Sequence, residues 1–249
     1  MRMSFQLIAY GRLDVCNGVE MSAIEAMINR TRLAPGATAV DVGTGNAGVA
    51  IRLVERFGLS ATAIEYDPGM AGLARERIKA AGVGDRLSLV VSPAAGVLRE
   101  APPLDLITAL GTTDVSGDAR PTPEAALTFL RSRLKPGGWL LWGDLVWLSE
   151  PPGPLRQLVE ATNLYADDVG WRAAADRAGF EVVETRISSQ EVFNAYARDS
   201  VGAVRDWLTD NPDAPEAPQV AFNADRVQAF FDFGRGVMGF GLYLMRNPD

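Results

Sequence analysis

Three glycines, Gly43, Gly45 and Gly48, stand in the segment VDVGTGNAG, directly after an apolar run and ahead of an amphipathic one. The order G-x-G-x-x-G lets a backbone turn tightly from a strand into a helix and approach a ligand closely. Asp41 precedes the first glycine by two residues. A carboxylate there opposes the pyrophosphate that a helix N-terminus otherwise welcomes, and it suits a ligand carrying positive charge, such as an ammonium or a sulfonium. A second acid, Glu65, closes the next apolar run 22 positions past Gly43, near the spacing at which an acid meets the hydroxyls of a bound ribose. Two more acids follow later apolar runs: Asp114 in GTTD and Asp144 in LLWGD. The chain has no histidine, so the proton acceptor for an incoming nucleophile has to be a carboxylate, a tyrosine or water. Asp114 leads that set, with Asp144 and Tyr196 behind it.

These residues need a scaffold, and the patterning supplies one. VEMSAIEAMINR carries Met21, Ile24, Met27 and Ile28 at helical spacing. Past the strand TAVDVG, a helix with Ala50, Leu53, Val54 and Phe57 on one face stops at Gly58. The strand ATAIEY leads to Asp67 and Pro68, an N-cap and a first helical residue. LSLVVS and LDLITAL read as buried strands, Thr122-Pro123 opens another helix, and WLLWGDLV is a further strand. Strands alternating with helices of this length predict a doubly wound α/β sheet, mostly parallel, with helices on both faces. After residue 150, DDVGWRAAADRAGF reads as a helix, EVVETRIS as a strand, and QEVFNAYARDSVGAVRDWL and ADRVQAFFDFG as helices before a last strand, GVMGFGLYLM. The excursion before that strand is long for a simple connection and reads as a substrate cover.

Composition removes several classes of function. The formal net charge is −7, with no run of Lys or Arg, so the electrostatic footprint of a nucleic-acid partner is missing. One cysteine, Cys16, and no histidine exclude a disulfide framework and the usual zinc sites. The apolar stretch WLLWGDLVWL is broken well short of a membrane span, and MRMSFQLIAYGR has too short an apolar run for a signal peptide. A cytoplasmic protein is expected, acting on a small molecule without metal, membrane or nucleic acid, with a homodimer left open.

Taken together the segments resemble the class I S-adenosylmethionine-dependent methyltransferases. VDVGTGNAG is similar to their first motif, AIEYDPGM to the second, DRLSLVVSPAAGVL stands in the place of the third, and LDLITALGTTD and LKPGGWLLWGD follow in order. The resemblance implies a Rossmann-like sheet of seven strands, the last antiparallel, with a helical insertion before it. It also implies S-adenosylmethionine as cofactor, held by Asp41, Gly43, Thr44, Gly45 and Asn46, by Glu65 on the ribose and Tyr66 on adenine, by Ser92, Pro93 and Ala94, and by Leu110 and Gly111. Ser92 and Pro93 replace an acid that many members carry in the third motif. GTTD, DWLTDNPD and FGRGVMGFGLYLM further resemble a bacterial subgroup acting on small molecules, in which the position of Asp114 is aromatic. On that resemblance Thr112, Asp114, Trp147, Phe193 and Tyr196 meet the substrate, with Asp114 and Asp144 as the catalytic pair.

The expected organisation is a single methyltransferase domain: a helical N-terminal segment over 1–30, a cofactor-binding core over 31–189, a helical substrate cover over 190–235 and a final strand over 236–247. The expected reaction is methyl transfer to an N or O nucleophile, with an amine slightly favoured by the anionic pocket candidates. The alternatives are an NAD(P)-dependent oxidoreductase using the same glycine loop, and a cofactor-binding module without turnover. The absence of a Tyr-x-x-x-Lys pair weighs against the first.

Overall fold

The computed structural model describes residues 3–112, 114–118, 121–160 and 166–248. Two helices come first, α1 (Phe5–Gly11) and α2 (Met21–Thr31). Strands and helices then alternate: β1 (Thr38–Val42), α3 (Gly48–Phe57), β2 (Ser60–Glu65), α4 (Pro68–Ala81), β3 (Leu87–Val91), α5 (Ala94–Glu100), β4 (Leu104–Leu110), α6 (Pro123–Arg131) and β5 (Leu134–Trp147). The remainder comprises α7 (Gly153–Glu160), the two-residue β6 (Ala166–Asp167), α8 (Asp168–Arg177), β7 (Glu181–Ile187), α9 (Gln190–Asp210), α10 (Ala217–Gly234) and β8 (Met238–Arg246).

Local chemistry sets the boundaries. Asp67 accepts from Met70 N–H at the start of α4, and Thr122 accepts from Ala125 N–H at the start of α6. Each is followed by a proline that needs no partner in the first turn. Gly58 and Gly82 end α3 and α4 in the left-handed conformation, both at φ 68°.

The sheet runs in the order β3-β2-β1-β4-β5-β8-β7, with β6 paired to β5. β1 to β5 pair in parallel, and β8 is antiparallel to both neighbours. This is the doubly wound sheet anticipated from the alternation and the Rossmann-like, seven-stranded form of it that the family resemblance implied, with the short β6 as the one addition. Strand order reverses between β1 and β4, and an open α/β sheet binds its ligand in the crevice outside the strand ends at such a point.

Apolar side chains fill both faces. Ile24 and Met27 of α2 and Leu53 and Val54 of α3 pack on one face. Leu127 and Leu130 of α6 and Trp171 of α8 pack on the other. A third cluster joins Phe5, Ile8 and Ala9 of α1 to Val201 and Val204 of α9 and Val220 and Ala224 of α10. The first helix is thereby built into the helical excursion that precedes β8, and the two together stand over the strand ends.

Candidate active site

At the carboxyl end of β1 the chain turns through left-handed residues at Gly43 (φ 64°) and Gly45 (φ 59°), where any side chain is strained. The neighbours leave little room for one. A Cβ on Gly43 would lie 2.9 Å from Thr112, and one on Gly45 would lie 3.1 Å from Cys16 Sγ. Gly48 is bare for another reason: its Cβ would meet the Asp14 carbonyl oxygen at 2.1 Å. The third glycine therefore makes way for the N-terminal segment rather than for a ligand. Asn46 serves the same crossing, donating through Nδ2 to the Tyr10 and Leu13 carbonyls (2.9 and 2.7 Å) while Oδ1 accepts from Gly48 N–H at 2.9 Å.

Glu65, at the end of β2, clamps the loop from the side. Its Oε2 accepts from Gly45 N–H at 2.8 Å and its Oε1 from Asp67 N–H at 2.9 Å. Around it opens a cavity of about 450 Å³, a size suited to a cofactor-like molecule. Gly43, Gly45, Glu65, Leu110 and Gly111, expected at the cofactor, line it, and so does Thr112, which was expected to meet the substrate instead. Gln6, Tyr10, Cys16, Asn17 and Met70 also line it, and the sequence reading missed them. Among the described residues the wall holds the carboxylates of Glu65 and Asp67 and no Lys or Arg. Such a wall repels a pyrophosphate and attracts a cation.

Asp41 contributes to this site from beneath. It is buried under the loop, where its carboxylate accepts from the Thr44 and Thr108 hydroxyls. Burial, opposed by those two hydrogen bonds, pushes its carboxyl up to about 6. It lies outside the cavity wall, as do Thr44 and Asn46, so the role of negative charge falls to Glu65 and Asp67. Tyr66 is 73% exposed. Tyr66, Ser92, Pro93 and Ala94 do not reach the wall either.

A second cavity, about 240 Å³, adjoins the first and shares Gln6, Tyr10, Asn17 and Gly111 with it. Its lining is aromatic. Phe231 stands edge-on to Phe193, Tyr196 and Phe230, with ring centroids 5.4, 5.8 and 5.4 Å apart. Tyr196 OH donates to the Cys16 carbonyl at 3.1 Å and accepts from Tyr10 OH at 3.3 Å. Burial, then the neighbouring Tyr10, holds its phenol well above the usual range, so Tyr196 stays protonated and positions rather than accepts.

The charged group of this cavity is Asp144. Gly111 N–H still donates to Gly143 O at 2.7 Å, but β4 ends there. The next donor on that edge of β5, Leu145 N–H, has lost its strand partner and is taken by Asp144 Oδ1 at 2.7 Å. Asp144 Oδ2 is buried and has no hydrogen-bond partner among the described residues. The two roles that the sequence allows for this acid, strand cap and pocket wall, thus coexist in one side chain. Asp114 is placed differently. It is exposed on the loop after β4 and lines neither cavity. Trp147 also lies apart, in a cleft with Leu148 and Arg156.

Burial pushes the Asp144 carboxyl up to about 7, against about 3.9 in an unfolded chain. Between those values the folded protein holds a proton that the unfolded chain has lost, so stability falls as pH rises from about 4 to about 7. Asp41 acts in the same direction. Asp144→Asn removes its share, on the order of 4 kcal/mol at most. In calorimetric melting of the ligand-free protein, the variant is expected to match wild type near pH 4 and to melt higher at about pH 8. A variant that melts lower at the higher pH would show that the carboxylate is stabilised rather than tolerated.

Comparison with known proteins places this geometry. Residues 39–138 match the family model described as a methyltransferase domain. The chain is 26% identical over 218 residues, 86% of each sequence, to the Escherichia coli protein YjhP, itself uncharacterized. It superposes on the crystal structure of that protein with a TM-score of 0.83 at 22% identity, covering 97% of this chain and 98% of the other. A methyltransferase from Geobacter sulfurreducens, solved with S-adenosylhomocysteine, gives a TM-score of 0.83 at 21% identity, covering 97% and 96%. A second, from Thiobacillus denitrificans and in the same kind of complex, gives 0.81 at 21%, covering 96% of each.

Proposed function

We infer that this chain, whose residues 39–138 match the methyltransferase-domain family model, is an S-adenosylmethionine-dependent methyltransferase, and we propose that its acceptor is a small molecule with an N or O nucleophile, an amine before a hydroxyl. The observation that carries the reading is the pair of adjoining cavities: one over the glycine loop with an acidic wall, the other aromatic with a single buried acid. The first fits the cofactor's chemistry. Gly43 and Gly45 line it without side chains, Glu65 stands where a ribose diol needs an acceptor, and none of the described wall residues is a cation that would oppose the cofactor's own positive charge.

When bound, the cofactor supplies a methyl carbon activated by the positive sulfur to which it is attached. The chain's work is then positioning and proton transfer. Gln6, Tyr10, Asn17 and Gly111 form the boundary across which the two ligands meet, and holding reactants at contact is worth several kcal/mol of barrier. The aromatic walls exclude water and favour a cationic or polarised amine. Asp144 Oδ2, without a partner in the protein, holds the ammonium form of the acceptor. It takes one proton from that ammonium before transfer, which frees the nitrogen lone pair that then bonds to the methyl carbon. With its carboxyl near 7, the group sits close to neutral pH, where such a base works best.

Calorimetric titration separates this reading from its rival. S-adenosylhomocysteine is expected to bind saturably, whereas NADH, with its pyrophosphate against Glu65 and Asp67, is expected not to bind. Binding of NADH with none of S-adenosylhomocysteine would replace the methyltransferase reading with an oxidoreductase one.

A further inference from the structure

The aromatic cavity is small for a whole substrate. At about 240 Å³ it falls below the range in which drug-sized ligands are buried, about 300–1,000 Å³, and so has room for a head group and little else. It does not end blindly. Phe5 and Gln6 of α1 and Val227 and Phe230 of α10 belong both to its wall and to that of a neighbouring groove of about 530 Å³. That groove runs out between α7 and α10 past Leu158 and Phe233. These last two are 51% and 70% exposed, so two large apolar side chains of the same groove stand open to water. The one charged group among the groove's described residues is Arg226, midway along α10.

We propose that this groove is the subsite for an apolar tail of the methyl acceptor, so that the substrate is an amphiphile: an amine seated at Asp144, continuing past Phe230 into a hydrocarbon or aryl chain that lies between α7 and α10. The proposal rests on the amine methyltransferase reading and extends it to the shape of the substrate. Continuity decides the occupant. A chain leaving the head-group cavity by way of Phe5 and Phe230 enters the groove directly, and each methylene then covers apolar surface that is otherwise wet. A hydrophilic acceptor such as an amino acid would leave the same surface exposed. Arg226 also lines the groove, and its guanidinium lies over the Phe222 ring at 5.8 Å, so the groove tolerates a polar group on the tail.

The test uses the whole protein saturated with S-adenosylhomocysteine and titrated with primary n-alkylamines from butylamine to octylamine. Affinity is expected to rise about fourfold per added methylene along the series. In a Leu158→Asn/Phe233→Asn double variant, both positions being exposed and remote from the cofactor cavity, S-adenosylhomocysteine and butylamine are expected to bind as in wild type while the gain with chain length disappears. A flat series in wild type, or an undiminished gain in the variant, overturns the groove assignment. A dimer in sedimentation analysis that the same substitutions dissociate gives the groove to a second copy and overturns it too. Asp144→Asn with unchanged butylamine affinity sinks the amine reading, and absent S-adenosylhomocysteine binding sinks the methyltransferase reading. Each failure is thus read on its own arm.

Discussion

Replacing Asp144 by asparagine is expected to lower turnover of an amine acceptor by 10²–10⁴-fold, the usual worth of a positioned general base, while changing cofactor affinity by less than about twofold. The separation follows from where the side chain stands. Asp144 lines the aromatic cavity and is absent from the wall of the cofactor cavity. Asparagine keeps the shape and keeps an oxygen for Leu145 N–H, which Asp144 Oδ1 now satisfies. What goes is the basicity of Oδ2. The pH profile tells this apart from a structural fault: wild-type kcat/KM should rise through an apparent pKa near 7, the value to which burial pushes this carboxyl, and the variant should lose that limb. The exposed Asp114 provides the comparison, since Asp114→Asn is expected to turn over normally. If Asp144→Asn remains fully active between about pH 6 and 9, proximity alone carries the reaction.

Glu65→Ala is expected to weaken binding of S-adenosylhomocysteine at least tenfold. A carboxylate that accepts from ribose hydroxyls forms charge-assisted hydrogen bonds of about 1.5–3 kcal/mol each, and about 1.4 kcal/mol is a decade of affinity. The structure adds a second loss. Alanine leaves Gly45 N–H and Asp67 N–H without the acceptor they now share, so the glycine loop and the entry to α4 lose their common tie. Glu65→Gln retains one oxygen and is expected to fall between the two. Calorimetry on the folded variant checks the claim, with the melting temperature of the ligand-free protein reporting how much of the loss is loop order. An unchanged dissociation constant in a folded Glu65→Ala protein would remove Glu65 from the site.

Much of this architecture was legible in the residues. The Asp67-Pro68 and Thr122-Pro123 helix starts are local signals whose meaning depends on near neighbours, and the fold uses both as read. Gly48, by contrast, makes room for the Asp14 carbonyl, and Glu65 is tied to Gly45 and Asp67 N–H. What escaped was set by distance. α1 lies within the helical segment expected over 1–30, but it spans seven residues, too few for periodicity to give it bounds, although Ser4 caps its start. Its place over the site depends on contacts such as Tyr10 to Tyr196, 186 positions apart. Asp41 and Asn46 have residue types that suit a ligand, yet both are spent within the protein, one on two hydroxyls and the other on two carbonyls. No sequence spacing distinguishes an acid facing a cavity from one facing a threonine across the sheet. Asp114 and Asp144 pose the same difficulty. Both follow strands, but only β5 runs on past its neighbour, and that overhang is what turns Asp144 inward beside the cavity.

The place of β8 between β5 and β7 bears on how the molecule is made. Residues 238–246 pair with β5 along one side and β7 along the other, and in synthesis they emerge about 50 residues after β7 has left the ribosome. Throughout that interval β7 has no place in the sheet, and most of the outer edge of β5 offers its N–H and C=O groups to any passing strand. A nascent chain in this state is vulnerable to pairing with its neighbours on the same message, and the helices of the substrate cover are translated during that very window. In the finished fold those helices pack on α1 through Phe5, Ile8, Val201, Val204 and Val220, contacts whose residues are all translated before the strand that fills the gap.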